Sequence, residues 1–134
     1  MKELERLTIH ELAEKLREGK TTSTSITQYY LSRIESTNSS INAYITVCRN
    51  HALEQAARAD SLLKAGDITS PLLGIPIGLK DIFLTEGIIT TCASRILAGY
   101  KPPYTATAAK RLIDQGAVIL GKHNMDEFAM GSSN

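Results

Sequence analysis

The sequence has no excess of charge of either sign, no long apolar run, no cysteine framework and no histidine cluster. Its 15 Lys and Arg against 14 Asp and Glu leave a net charge of +1. That removes the general pull towards nucleic acid that a strongly basic surface exerts, though not a local patch. No stretch approaches the roughly 20 apolar residues that cross a bilayer, so no membrane association is expected. The opening MKELERLTIH lacks the apolar core of a secretory signal, and Glu3, Glu5 and Glu11 set it apart from an acid-poor transit peptide. We therefore expect a cytoplasmic chain that begins at its natural start. Cys48 and Cys92 have no His or second Cys at ligand spacing, and His10, His51 and His123 are scattered. Structural zinc takes about four ligands in close pairs, so no metal site is expected. In a reducing compartment both cysteines read as small buried hydrophobes. Repeats and low-complexity tracts are absent as well.

What is present is a globular balance, with 43% hydrophobic and 22% charged residues in 134, enough for one core. Thr8-Ile9-His10-Glu11 fits a capping box. It predicts a helix with Leu12, Ala13 and Leu16 on one face and Gly19 as its stop. KTTSTS, residues 20–25, reads as a connection. Ile26, Tyr29, Tyr30 and Ile34 then recur at helical spacing up to Asn38-Ser39-Ser40. Tyr44 to Val47 is β-prone. Ala52 to Ala65 predicts a third helix, closed by Gly66. Residues 1–70 are thus expected to be mostly helical.

The character changes after Ser70-Pro71. Ile75 to Phe83 predicts a strand buried on both faces, and 84–104 a long irregular connection. Thr105 or Thr107 is expected to cap a helix reaching about Gln115, before Gly116. Ala117 to Leu120 predicts a second buried strand. Asn124 to Glu127 offers a cap for a short helix ending at Gly131. Strand, helix, strand in this order suggests a right-handed β-α-β unit in a mixed or parallel sheet. The expected fold class is α/β.

The run GIPIGLKD, residues 74–81, ends its apolar alternation at Lys80. A lysine there is either a strand end reaching water or a desolvated amine able to take a proton from a serine hydroxyl. Local features alone favour the first reading, with Asp81 next door to keep the amine charged. Asp126 and Glu127 are adjacent and so do not face one another on a helix, which makes them first-turn acids rather than a catalytic pair. Thr90, Thr91 and Ser94 read as turn chemistry. Ser132 and Ser133 follow a glycine, as capping serines do, without the flanks of a nucleophile elbow. Cys92 has no positioned base.

Four stretches together, GIPIGLKD, TTCAS (90–94), AVILG (117–121) and above all NMDEFAMGSS (124–133), closely resemble the amidase signature family. Within it they resemble the glutaminase subunits of tRNA-dependent amidotransferases. Residues 71–134 then correspond to the start of the mixed-sheet α/β core and 1–70 to the helical part before it. The resemblance implies a Lys–Ser–Ser amidase in which Lys80 is the catalytic lysine. Both serines and the oxyanion hole lie beyond Asn134, so this stretch alone is expected to be inactive. Met130 and Gly131 would line the glutamine pocket, against the plainer reading of Met130 as core filler and Gly131 as a helix stop. No cofactor is implied for this chain, and ATP and magnesium are implied for a partner. The implied partners are the amidotransferase B and C subunits, with glutamine as substrate and misacylated tRNA reached through the complex. Gly78 and Ile82 stand where many members have Ala and Asn; the first change reads as the loss of one methyl. Two alternatives stay open, another amide hydrolase of the same family and a non-catalytic module that docks on a partner.

Overall fold

A computed structural model describes residues 4–68 and 70–133. The first helix, α1 (Ile9–Arg17), begins where the capping box predicts. Thr8 Oγ1 accepts from the Glu11 amide, and Glu11 Oε2 accepts from the Thr8 amide at 2.6 Å. Leu12, Ala13 and Leu16 are its buried face.

Helix α2 (Ser23–Ile41) starts inside the stretch expected to be a connection. Thr22 Oγ1 caps it locally by accepting from the Ser25 amide at 3.1 Å, and the rest of the reason is distant in sequence. The carboxylate of Asp60 accepts from the Ser23 amide (2.6 Å), the Thr24 amide (3.0 Å) and the Thr24 hydroxyl (2.6 Å), and so satisfies amides that a helix start leaves unpaired. The helix also runs past Asn38-Ser39-Ser40 to Ile41. Asn38 does not stop it but bonds both backbone groups of Tyr44, as donor at 3.0 Å and acceptor at 2.8 Å. That pins the helix to β1 (Tyr44–Val47), the strand expected there. Helix α3 (Arg49–Ala65) begins three residues before Ala52 and ends at Gly66, whose φ is +76°.

Strand β2 (Pro76–Lys80) is shorter than predicted, because the chain turns at Asp81 and Phe83 N donates to Lys80 O. Its burial is also less complete than expected: Leu79 is buried, Pro76 to Gly78 are half-buried and Lys80 is exposed. Helix α4 (Thr107–Asp114) has Ala106 at its cap position without a side-chain bond. Neither threonine caps it, since Thr105 Oγ1 accepts from the Glu86 amide and Thr107 is already helical. Strand β3 (Val118–His123) runs three residues beyond Leu120 and is buried as far as Lys122.

The sheet order is β1-β3-β2, with β1 antiparallel and β2 parallel to the central β3. The strand–helix–strand unit therefore pairs in parallel, as its order suggests. One face carries Ile75 with Leu12, Leu16 and Ile26, and Val118 and Leu120 with Leu31, Ala52 and Ala56. The other packs Leu79 and Ile119 against Ala109 of α4. Burial of these side chains, about 1.5–3 kcal/mol for each leucine, isoleucine or valine, joins the three N-terminal helices and α4 through one sheet.

A register shift changes the faces of β3. Ile77 pairs with Ile119 but Gly78 with Gly121, so Leu120 is passed over and Lys122 comes opposite Leu79. Gly121 is needed at this shift, because a Cβ there would collide with the Thr46 carbonyl of β1.

The predicted short helix after β3 is a single 3-10 turn, Glu127–Ala129, with Phe128 (φ 52°) and Ala129 (φ 57°) left-handed. Neither Asn124 nor Asp126 caps it. Asn124 Oδ1 takes the neighbouring Met125 amide, and Asp126 has its partners elsewhere. Among the described residues no helix is long and apolar enough to cross a membrane.

Candidate active site

Strands β2 and β3 end side by side, with Leu79 opposite Lys122 and Lys80 opposite His123. This places two lysines at one sheet end, on opposite faces. Alternation along β2 turns Leu79 to the α4 side and Lys80 to the other. The Lys80 side chain is 46% exposed and its Nζ lies 3.8 Å from Asp126 Oδ1. The strand-end position read from GIPIGLKD is therefore correct, but the partner is not the neighbouring Asp81.

Asp81 is claimed by the other lysine. Lys122 is completely buried. Its Nζ donates to the Phe83 carbonyl (2.7 Å) and to Thr90 Oγ1 (2.8 Å), and lies 3.3 Å from Asp81 Oδ1. Asp81 Oδ2 accepts from the Thr91 amide (2.9 Å) and hydroxyl (2.7 Å). Asp81 Oδ1 has no hydrogen bond, so the ammonium meets it as a charge and not in hydrogen-bond alignment. Burial pushes the Lys122 pKa down, with Asp81 pulling the other way. Thr90 and Thr91 are thus the buried polar partners of an ion pair and do more than form a turn. A lysine beside a hydroxyl resembles an activating amine, yet no solvent reaches Lys122, and a substrate could not either. Its role is to clamp the 83–92 loop beneath the strand ends.

His123 sits over Gly78. A Cβ at position 78 would run into Nε2, Cε1 and Cδ2 of the imidazole, which packs edge-on against Tyr44 at 4.6 Å. Gly78 is therefore not an alanine that has merely lost a methyl. It leaves the space that His123 occupies. Burial lowers the His123 pKa from its ordinary value of 6.5.

The segment after β3 approaches Lys80 through Asp126. The other oxygen of that carboxylate, Oδ2, accepts from the Gly131 amide at 2.8 Å. Lys80 and Gly131, far apart in the sequence, thus share one carboxylate. Met130 is 80% exposed, so among the described residues it fills no core. Glu127 Oε1 accepts from the Ser94 hydroxyl at 2.5 Å and joins this segment to the 90–98 loop. Burial and the Asp81 carboxylate push the Cys92 thiol up, away from the thiolate that a nucleophile needs. Ser132 and Ser133 are exposed. Among the described residues no three His, Cys, Asp or Glu side chains gather as a metal site would require.

Sequence reasoning missed Lys122, gave Asp81 to the wrong lysine and read Asp126 only as a first-turn acid. The only local signal for the first was a strand pattern running on through Gly121-Lys122-His123, which looks like a polar exit until the register shift is known.

A sheet with helices on both faces, and a lysine at the end of a strand beside an acid-and-glycine turn, now meets its relatives. The chain belongs to the amidase family, whose profile matches residues 25–134. It is 58% identical over 128 residues to the A subunit of the glutamyl-tRNA(Gln) amidotransferase of Geobacter sp. (strain M21), covering 96% of this chain and 26% of that one. Against the corresponding protein of Hahella chejuensis it is 53% identical over 127 residues, covering 95% and 26%. Among solved structures, the peptide amidase of Stenotrophomonas maltophilia is 34% identical, with TM-score 0.87, over 92% of this chain and 26% of that one. An amidase family protein of Bacillus anthracis is 31% identical, with TM-score 0.86, over 94% and 25%. The chain thus spans about a quarter of the length of the relatives it matches.

Proposed function

We propose that this chain is the N-terminal, lysine-bearing part of the glutaminase subunit of a tRNA-dependent amidotransferase. The observation that carries the proposal is the 58% identity to such a glutaminase relative along 96% of the chain, with Lys80 presented at the end of β2. In the full-length protein the remaining chain supplies a nucleophilic serine and a bridging serine. The serine oxygen attacks the side-chain amide carbon of glutamine, and its proton passes by way of the bridging serine to the Lys80 nitrogen. The tetrahedral intermediate collapses, the C–N bond breaks, and the proton is returned to the departing nitrogen as ammonia. Water then hydrolyses the glutamyl ester to glutamate and frees the serine. Ammonia passes to the B partner, where ATP and magnesium activate the glutamate or aspartate carried by misacylated tRNA. The C partner completes the assembly, and the setting is the cytoplasm. This chain's own part is the amine and the pocket edge at Met130 and Gly131.

The test is glutamine hydrolysis by the full-length protein in complex with both partners. Glutamate release that depends on those partners is expected, and none from residues 1–134 alone, which would lack nucleophile and oxyanion hole. Hydrolysis of simple amides without partners would identify another amide hydrolase of the family. Binding to the partners without any hydrolysis would identify a docking module.

A further inference from the structure

We infer that Asp126 is a positioning residue that ties the Lys80 amine to the Met130–Gly131 segment. The inference rests on the amidase reading above and deepens it. Asp126 precedes a three-residue 3-10 turn and makes no side-chain cap bond, so helix capping does not explain it. Its carboxylate, only 18% exposed, divides its oxygens between two partners. Oδ1 faces Lys80 Nζ at 3.8 Å, and Oδ2 holds the Gly131 amide at 2.8 Å.

The turn between the two contacts is strained. Phe128 and Ala129 are both left-handed, at φ 52° and 57°, where side chains with a Cβ are rare. Such a conformation persists only where its surroundings over-determine it. Here Phe128 N donates to Cys92 O, Ala129 N to Asp126 O, and Glu127 holds Ser94. The Gly131 end closes on Asp126 at a distance that suits glycine. A Cβ on Gly131 would come within 3.1 Å of the Asp126 Cβ and push the carboxylate aside. The ion pair to Lys80 is loose and half-exposed, and such pairs add little stability. Its value lies in geometry: one carboxylate meets both the amine and the Gly131 amide, so a shift of residues 130–131 as glutamine enters changes where the amine is held.

The experiment compares Asp126→Asn and Asp126→Ala in the full-length protein in complex with its partners, reading kcat and KM for glutamine separately. Asparagine keeps an oxygen for the Gly131 amide but loses the attraction that holds the Lys80 amine in place. We expect kcat to fall about two- to fivefold, the scale of an exposed ion pair, with KM unchanged. Alanine loses both contacts, and KM should also rise about tenfold, the scale of a lost hydrogen bond to a charged acceptor. A purely structural role would lower kcat in both variants without separating their KM values, and that result overturns the inference. So does wild-type behaviour in both. Should the alanine variant fail to assemble, an asparagine variant with unchanged kcat is sufficient to overturn it. A Lys80→Arg control keeps the two levels apart. If that variant still hydrolyses glutamine, the amidase reading fails; if it is dead and Asp126 is silent, only this inference falls.

Discussion

Lys80 and Lys122 lie at the same end of adjoining parallel strands, one register step apart, yet they share almost nothing in environment. Lys122 is sealed under the 83–92 loop with a carboxylate, a carbonyl and a hydroxyl around it. Lys80 stands half in water with one distant carboxylate. The buried amine looks more like a tuned base, and the exposed one more like an ordinary surface lysine. Access reverses that impression. A base must meet its substrate, and only Lys80 opens on a surface that further chain or substrate can cover. On the proposed function, burial marks the structural lysine and exposure the one a substrate can reach.

The comparison breaks most sharply through stability. Removing one partner of a buried ion pair strands the other, a loss of about 3–5 kcal/mol. Lys122→Met should therefore lower the unfolding free energy by about that much, measured by denaturant titration, while Lys80→Met should change it by less than about 1 kcal/mol. Equal effects would mean that the two sites are not different in kind. A double Asp81→Leu/Lys122→Met variant should regain most of the loss, because two uncharged side chains leave no stranded charge.

A smaller effect is expected beside Lys80. Gly78→Ala forces a methyl into the imidazole of His123 and should cost about 1–3 kcal/mol, the range for overpacking. Adding His123→Ala should relieve most of it. If the two changes prove additive in melting experiments, the ring does not depend on the glycine.

The smallest effect is on pH dependence. Burial lowers the folded-state pKa of His123, so the unfolded chain binds its proton more readily. Above the ordinary value of 6.5 the ring is neutral in both states and nothing is lost. As pH falls below 6.5 towards the lower folded value, stability should decline by this contribution. A His123→Gln variant should show a shallower decline between those two values than the parent, and an identical slope would remove His123 from the account.

Much of this contrast was hidden from the sequence for physical reasons. The start of α1 is legible because Thr8 and Glu11 cap it locally. Lys80 is legible because apolar alternation runs straight into it. The start of α2 is half hidden: Thr22 caps the Ser25 amide locally, but the Ser23 and Thr24 amides are satisfied by Asp60, 37 and 36 residues away. The extension of β3 is hidden for the same kind of reason. Lys122 is acceptable inside only with Asp81 and Thr90 closing over it, and a register shift sets its face. Asp126 read as a first-turn acid because the left-handed Phe128 and Ala129, neither of them glycine, leave no mark in composition. The Thr8–Glu11 box, closed on both sides within four residues, could be read in order, whereas elements whose closure includes distant partners could not.

The central claim is that Lys80, and not its buried neighbour, is the amine that works on the amide. Arginine keeps the charge at position 80 but stays protonated. The most direct measurement is ammonia release from glutamine by the full-length Lys80→Arg protein, purified in complex with its partners. The account predicts an intact complex with no detectable release. Release near the parent rate would contradict it and return Lys80 to the status of an ordinary strand-end lysine.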